Sequence, residues 1–265
     1  MAYSIKGFVE TSFSDWRGRV VSVLFLPACN LRCPFCHNHD LVLHPEKYPD
    51  FPWEVILEGL RKRRGWIDGV CLTGGEPTLH PWLPRLIREL KSDRRLTLTG
   101  DPLPVKLDTN GTRPEVLENL LEDGLLDHVA MDIKGPLNPE GYSALTGVPW
   151  GEEQIDRIKA SIQILLAGKV DYEFRTTFVP ALLSEEEICE MARQVRGAGQ
   201  YTLQSFSPRE ALDARLREAA PLEPDLLRRM QARVDGIIKS EVKVKAEVKA
   251  KGKEHALNDS YFPQP

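Results

Sequence analysis

The chain has 265 residues, 42% of them hydrophobic and 28% charged, with a formal net charge of −4. Length and composition fit a globular protein of one large domain with a core of its own. The acidic balance sets a general nucleic-acid binder aside, no apolar run approaches the roughly 18 residues of a membrane-spanning helix, and five cysteines, three of them crowded together, make no disulfide scaffold.

Residues 1–6 lack the charged-then-apolar layout of a signal peptide, so the cytoplasm is the expected compartment. The first strand is expected over Val20–Leu26, and the cysteine-rich segment follows it directly. Trp53–Arg64 then reads as a helix, Val70–Thr73 as a strand, Trp82–Lys91 as a helix and Val105–Thr109 as a strand. Glu115–Glu122 reads as a helix and His128–Ile133 as a strand. Glu152–Ala167 is a stronger helix, with Ile155, Ile158, Ile162, Leu165 and Leu166 on one face. Glu173–Val179 is the next strand. Ser184 with Glu187 reads as a capping box before Ile188, Met191, Ala192 and Val195, and Tyr201–Phe206 is the last strand.

Most of these strands lack strict polar alternation, as strands buried on both faces do. Strands alternating with helices predict an α/β fold with a parallel sheet, in a single domain over residues 1–240. Leu226, Leu227, Met230, Val234, Ile237 and Ile238 form a helical stripe near its end. The lysine-rich stretch Glu241–Lys253 alternates small apolar and charged residues and reads as an edge strand or a mobile tail, which sets 241–265 apart.

Chemistry concentrates in Cys29-Asn30-Leu31-Arg32-Cys33-Pro34-Phe35-Cys36. Three thiolates on one loop can bind one metal centre. A closed zinc site and a four-iron cluster both want four protein ligands. Three leave an open coordination position, which is how metal sites admit a substrate. Three readings fit the spacing: an iron–sulfur cluster, zinc with His37 as an awkward fourth ligand, and unrelated buried thiols. Cys71 and Cys189 fall inside an expected strand and helix and read as small buried hydrophobes.

Three further segments end expected strands in polar residues. They are Leu72-Thr73-Gly74-Gly75-Glu76-Pro77, Lys106-Leu107-Asp108-Thr109-Asn110-Gly111 and Val129-Ala130-Met131-Asp132-Ile133-Lys134. The C-terminal ends of parallel strands are where α/β proteins bind ligands. The glycine pair lets backbone approach a ligand closely. The bland reading of Asp108 and Asn110 is a turn cap, and of Asp132 and Lys134 a plain ion pair. Arg175 sits mid-strand, where a buried guanidinium needs a partner such as a carboxylate.

Cys-x3-Cys-x2-Cys after a first strand, with aromatic Phe35 before the last cysteine, resembles the radical S-adenosylmethionine superfamily over roughly residues 5–210. The strings Leu-Asp-Thr-Asn-Gly and Met-Asp-Ile-Lys, with Cys36-His37-Asn38 and Asp40, resemble its glycyl-radical-enzyme activating group. Within that group the wording is similar to pyruvate formate-lyase activating enzymes and to the activating proteins of anaerobic ribonucleoside-triphosphate reductases. The resemblance implies a partial (β/α)6 barrel of parallel strands. It implies a [4Fe-4S] cluster on Cys29, Cys33 and Cys36 whose fourth iron chelates S-adenosylmethionine. Cofactor contacts are implied for Phe35, His37, Gly74, Gly75, Glu76, Asp108, Asn110, Asp132, Lys134, Arg175 and Ser207. A monovalent cation is implied at Asp108, Thr109 and Asp132, with the Ala130 carbonyl beside it. An electron donor such as flavodoxin or ferredoxin, an oxygen-poor setting and a glycyl radical enzyme as substrate are implied as well. No side chain then needs to act as general acid or base.

The chain departs from those enzymes in places. They carry a histidine after the sixth strand, where Gln204-Ser205-Phe206-Ser207 stands here. Their N-terminal Asp-Gly-Pro-Gly appears as Asp15-Trp16-Arg17-Gly18, and Ala181 replaces a glycine after Val179-Pro180. Two other functions compete: a radical enzyme acting on a small molecule, lipid or nucleic acid, and a zinc-binding interaction module without catalysis.

Overall fold

The computed structural model describes residues 3–220 and 222–239. Seven strands form one sheet in the order of the chain: β1 (Gly7–Ser12), β2 (Val21–Leu26), β3 (Gly69–Gly74), β4 (Val105–Thr109), β5 (His128–Asp132), β6 (Asp171–Phe178) and β7 (Tyr201–Ser205). β1 runs antiparallel to β2, and every later pairing is parallel. β1 and β7 lie at opposite edges, so the sheet stays open. Strictly sequential parallel strands joined by helical crossovers of one hand wind in one direction, which curls the sheet toward a barrel. The expected partial barrel of six parallel strands is what forms, with β1 added at its edge.

The helices are α1 (His39–Leu43), α2 (Trp53–Lys62), α3 (Leu83–Ser92), α4 (Pro114–Glu122), α5 (Pro139–Thr146), α6 (Glu152–Leu166), α7 (Glu185–Gln194) and α8 (residues 224–239). Ser184 and Glu187 make the expected reciprocal cap of α7. Strand side chains alternate between faces. The outward set, Leu24, Leu72, Leu107, Val129 and Phe174, joins the main core beneath the helices. The inward set is different. At its floor Trp16, Val21, Val23 and Cys71 form a separate small cluster. Trp16 comes from the β1–β2 loop, so that loop plugs the N-terminal end of the barrel. Cys71 and Cys189 are both buried, as expected of structural thiols.

At the other edge, α8 shields β7. Gln231 accepts from the Leu203 amide at 2.7 Å and donates to the Tyr201 carbonyl at 2.7 Å, filling both hydrogen-bonding roles of an edge strand. Met230, Val234 and Ile238 of the expected stripe are buried in the core, while Leu226, Leu227 and Ile237 pack against it part-buried. The stretch Glu241–Lys253, read as an edge strand or tail, lies outside the described residues. Among the described residues no helix is long and apolar enough to cross a membrane.

Candidate active site

The C-terminal ends of β2 to β7 surround a cavity of about 450 Å³. Apart from Ala130, the site residues expected from sequence reach it: Cys29, Cys33, Phe35, Cys36 and His37 from the loop after β2, Gly74, Gly75 and Glu76 after β3, and Asp108, Thr109 and Asn110 from the end of β4. Asp132 and Lys134 at the end of β5, Arg175 of β6 and Ser207 beyond β7 complete the set. Sequence reasoning did not single out Asp15, Asn38 or Thr177 as cavity residues, and they line it too.

The cysteine loop is fixed by backbone. Ala28 is the one non-glycine described residue with positive φ, at 61°. That strained turn aims Cys29 into the cavity. The Gly75 amide donates to the Leu26 carbonyl and the Glu76 amide to the Ala28 carbonyl, each at 2.8 Å. A Cβ on Gly75 would lie 1.7 Å from the Ala28 oxygen. The glycine pair therefore has a second reason to exist besides ligand approach: it lets the end of β3 lie directly against the root of the cysteine loop.

Glu76 is fully buried and spends its carboxylate inward. Oε1 accepts from the Thr78 amide and hydroxyl and, at 2.7 Å, from the Thr109 hydroxyl, while Oε2 accepts from the Asn110 amide at 2.7 Å. Burial pushes its pKa up, against the pull of those hydrogen bonds. Glu76 thus ties the end of β3 to the end of β4. Asn110 carries the tie onward, donating to Asn30 Oδ1 at 2.9 Å and lying 3.8 Å from Cys29 Sγ. Asn38 closes the circuit with a hydrogen bond to the Gly74 carbonyl at 3.1 Å. Asn30 and Asn38 lie among the motif residues, and nothing in their spacing announced these bonds.

Phe35 is buried in the core, whereas His37 is exposed and pairs with Glu210 of the segment after β7. Burial raises the thiol pKa values of Cys29 to about 11, of Cys33 to about 12, and that of Cys36 as well. Among the described residues, no three His, Cys, Asp or Glu side chains converge on a point able to hold one metal ion. The three thiols line the same cavity. Three soft sulfur donors on one loop fit a [4Fe-4S] cluster with one iron left free. The cavity also has the size of a small-molecule site.

Charged side chains fill the barrel above its apolar floor. Arg175 Nε donates to Asp132 Oδ1 at 2.9 Å, and its Nη1 approaches Asp108 Oδ2 at 3.3 Å. Lys134 Nζ donates to Asp132 Oδ2 at 2.9 Å. Burial alone would raise the Asp132 pKa, but Arg175 and Lys134 outweigh it and hold the carboxyl below its usual range. Asp108 and Asp132 raise the Arg175 pKa despite burial, and Asp132 and the Cys33 thiol do the same for Lys134.

These contacts bear on the implied monovalent cation. Asp108, Thr109 and Asp132 do come together, but the Thr109 hydroxyl donates to Glu76 and accepts from the Gly111 amide at 3.2 Å. Both Asp132 oxygens and Asp108 Oδ2 already face Arg175 or Lys134. Asp108 Oδ1 has no aligned donor, yet the Lys106 ammonium sits 3.1 Å from it. The donor set does not fit a further ion.

Comparison with known proteins places the chain in a family. Residues 23–195 match the Radical SAM superfamily. The chain belongs to that superfamily. A relative from Methanocaldococcus jannaschii, named provisionally as a glycyl-radical enzyme activating enzyme, is 32% identical over 215 residues, 81% of this chain and 84% of the relative. A Methanococcus aeolicus protein named a probable GTP 3′,8-cyclase is 31% identical over 46% of this chain and 38% of its own length. The crystal structure of Streptococcus suis SuiB bound to S-adenosylmethionine superposes with a TM-score of 0.57 at 16% identity, covering 83% of this chain and 49% of that one. It shares the fold, and this chain spans about half its length.

Proposed function

We propose that this radical S-adenosylmethionine enzyme installs a glycyl radical on a partner enzyme. The supporting observation is the meeting, around one cavity, of the three loop thiols with the Asp132, Lys134 and Arg175 charges. Cys29, Cys33 and Cys36 would hold three irons of a [4Fe-4S] cluster and leave the fourth for the amino and carboxylate groups of S-adenosylmethionine. When bound, the cluster supplies the electron, drawn from a donor such as flavodoxin or ferredoxin, that cleaves the sulfonium C–S bond to methionine and a 5′-deoxyadenosyl radical.

The chain's own residues bind, orient and exclude water. Arg175 and Lys134 offer N–H donors to a carboxylate. Glu76 and Asn110 hold the glycine turn and the cysteine loop in register. Gln204 to Ser207 wall the cavity on the β7 side, where dryness protects a reactive radical. A backbone glycine suits as hydrogen donor, since its Cα carries no side chain and its loop can thread a narrow mouth. The M. jannaschii relative and the Asp-Thr-Asn-Gly and Asp-Ile-Lys strings support a protein substrate. The match to a GTP 3′,8-cyclase favours a second reading, a small-molecule substrate.

The test pairs anaerobically reconstituted, reduced protein and S-adenosylmethionine with an anaerobic ribonucleotide reductase from the same organism, or with GTP. A glycyl-radical EPR doublet on the reductase, formed with matching 5′-deoxyadenosine, supports the first reading. GTP consumed, with no radical on the reductase, supports the second.

A further inference from the structure

Three adjoining strands carry charges into the barrel at alternate positions: Lys106 and Asp108 on β4, Asp132 on β5, and Glu173 and Arg175 on β6. In the sheet register Asp132 lies opposite Arg175, and the small Ala130 lies between Asp108 and Glu173. The side chains therefore meet diagonally across Ala130. They form one chain of alternating sign: Glu173 to Lys106 at 3.8 Å, Lys106 to Asp108 at 3.1 Å, Asp108 to Arg175 at 3.3 Å, Arg175 to Asp132 at 2.9 Å and Asp132 to Lys134 at 2.9 Å. The chain is neutral, three cations against three carboxylates.

Lys106 is its least expected member. It is only 2% exposed, lies below the cavity, and has no place in the mechanism. Its ammonium also donates to the Asp15 carbonyl of the loop that plugs the barrel floor. A buried ammonium is costly unless its charge is matched and its donors used, and both conditions hold here.

We propose that Lys106 and Arg175 are built-in counter-cations for Asp108 and Asp132, taking the place of a bound monovalent ion. Cofactor binding at this site then needs no K+ or Na+. Lys106 acts as a positioning residue: it neutralises Asp108 from below, so that Arg175 is shared between Asp108 and Asp132 while facing the cavity. The cofactor half of this inference rests on the function proposed above, whereas the charge-replacement half does not.

The test uses the full-length protein, wild type, Lys106→Met and Lys106→Arg, in KCl, NaCl or tetramethylammonium chloride at equal ionic strength. Thermal melting is read without S-adenosylmethionine, and S-adenosylmethionine affinity is read by equilibrium dialysis after cluster reconstitution. Wild type should melt at the same temperature in all three salts. Lys106→Met should melt lower in tetramethylammonium and recover by about 3 °C or more in K+ or Na+, the shift expected for roughly 1 kcal/mol in a protein of this size. Lys106→Arg, which keeps the charge, should stay indifferent to the salt. S-adenosylmethionine affinity should follow the same pattern, with a K+ or Na+ dependence only in Lys106→Met. A K+- or Na+-specific rise in wild-type melting or affinity would overturn the proposal, as would a Lys106→Met protein indifferent to the salt or unfolded in all three. Absence of S-adenosylmethionine binding in every salt would defeat the proposed function instead, leaving the melting result to decide the charge replacement.

Discussion

Gly75→Ala probes the contact that joins the glycine motif to the cysteine loop. The added Cβ would stand 1.7 Å from the Ala28 oxygen and 2.5 Å from its carbonyl carbon, both backbone atoms. Ordinary contact needs about 3.4 Å or more, so the end of β3 and the root of the loop must part by well over an ångström. That movement lengthens two backbone hydrogen bonds of 2.8 Å, Gly75 to Leu26 and Glu76 to Ala28. At about 1–3 kcal/mol for each buried group left unpaired, plus local strain, the cost is on the order of 3–5 kcal/mol. Cys29 moves with Ala28, so the three thiols lose their spacing. Urea unfolding of the cluster-free protein measures the stability, and iron per chain after reconstitution measures the site. Gly199→Ala is the control, because a Cβ there meets nothing within 4 Å. Gly75→Ala with wild-type stability and wild-type iron content would refute the reasoning.

Cys33→Ala should abolish iron binding and S-adenosylmethionine cleavage together while the chain stays folded; retention of both would remove Cys33 from the site. Trp16→Ala opens the floor of the barrel, where the side chain is 5% exposed, and should cost about 3–5 kcal/mol in denaturant unfolding; a loss below about 1 kcal/mol would mean the loop is no plug. His128 faces Lys106 and Arg175, with Glu173, Asp171 and Asp108 near it, and burial first, then Lys106, lowers its pKa to about 4. The unfolded chain holds this proton near pH 6.5 and the folded one does not, so stability contributed by neutral His128 should be lost as pH falls from about 6.5 to about 4, by up to roughly 3 kcal/mol. His128→Phe should flatten that part of the pH–stability curve, and an unchanged slope would count against the assignment.

The parallel strands and the longer helices were legible because each carries a continuous apolar run or a 3.6-residue stripe. β1 was not, since Gly7–Ser12 is half exposed along its length and presents no apolar run. It is held by antiparallel pairing to β2, a contact distant from any local signal. α5 was hidden for another reason: Pro139, Gly141 and Gly147 are residue types that turns favour, while the cap that starts the helix, Asn138 accepting from the Gly141 amide, shows only in three dimensions. At the site, residue types at strand ends marked which side chains would meet. They did not reveal what those side chains touch. Glu76 pointed to a ligand from its motif alone, yet its carboxylate is taken up by Thr78, Thr109 and Asn110. Lys106 gave no signal, because a lysine in an apolar strand reads as an outward-facing residue until the register places it among Asp15, Asp108 and Glu173.

The most direct measurement is an anaerobic one. The reconstituted, reduced protein is examined by EPR before and after S-adenosylmethionine is added, and the same sample is assayed for 5′-deoxyadenosine. The expected result is a [4Fe-4S] signal whose shape changes on cofactor addition, with 5′-deoxyadenosine formed and methionine released in equal amount. A fully assembled, reduced cluster whose signal does not change and which cleaves no cofactor would contradict it.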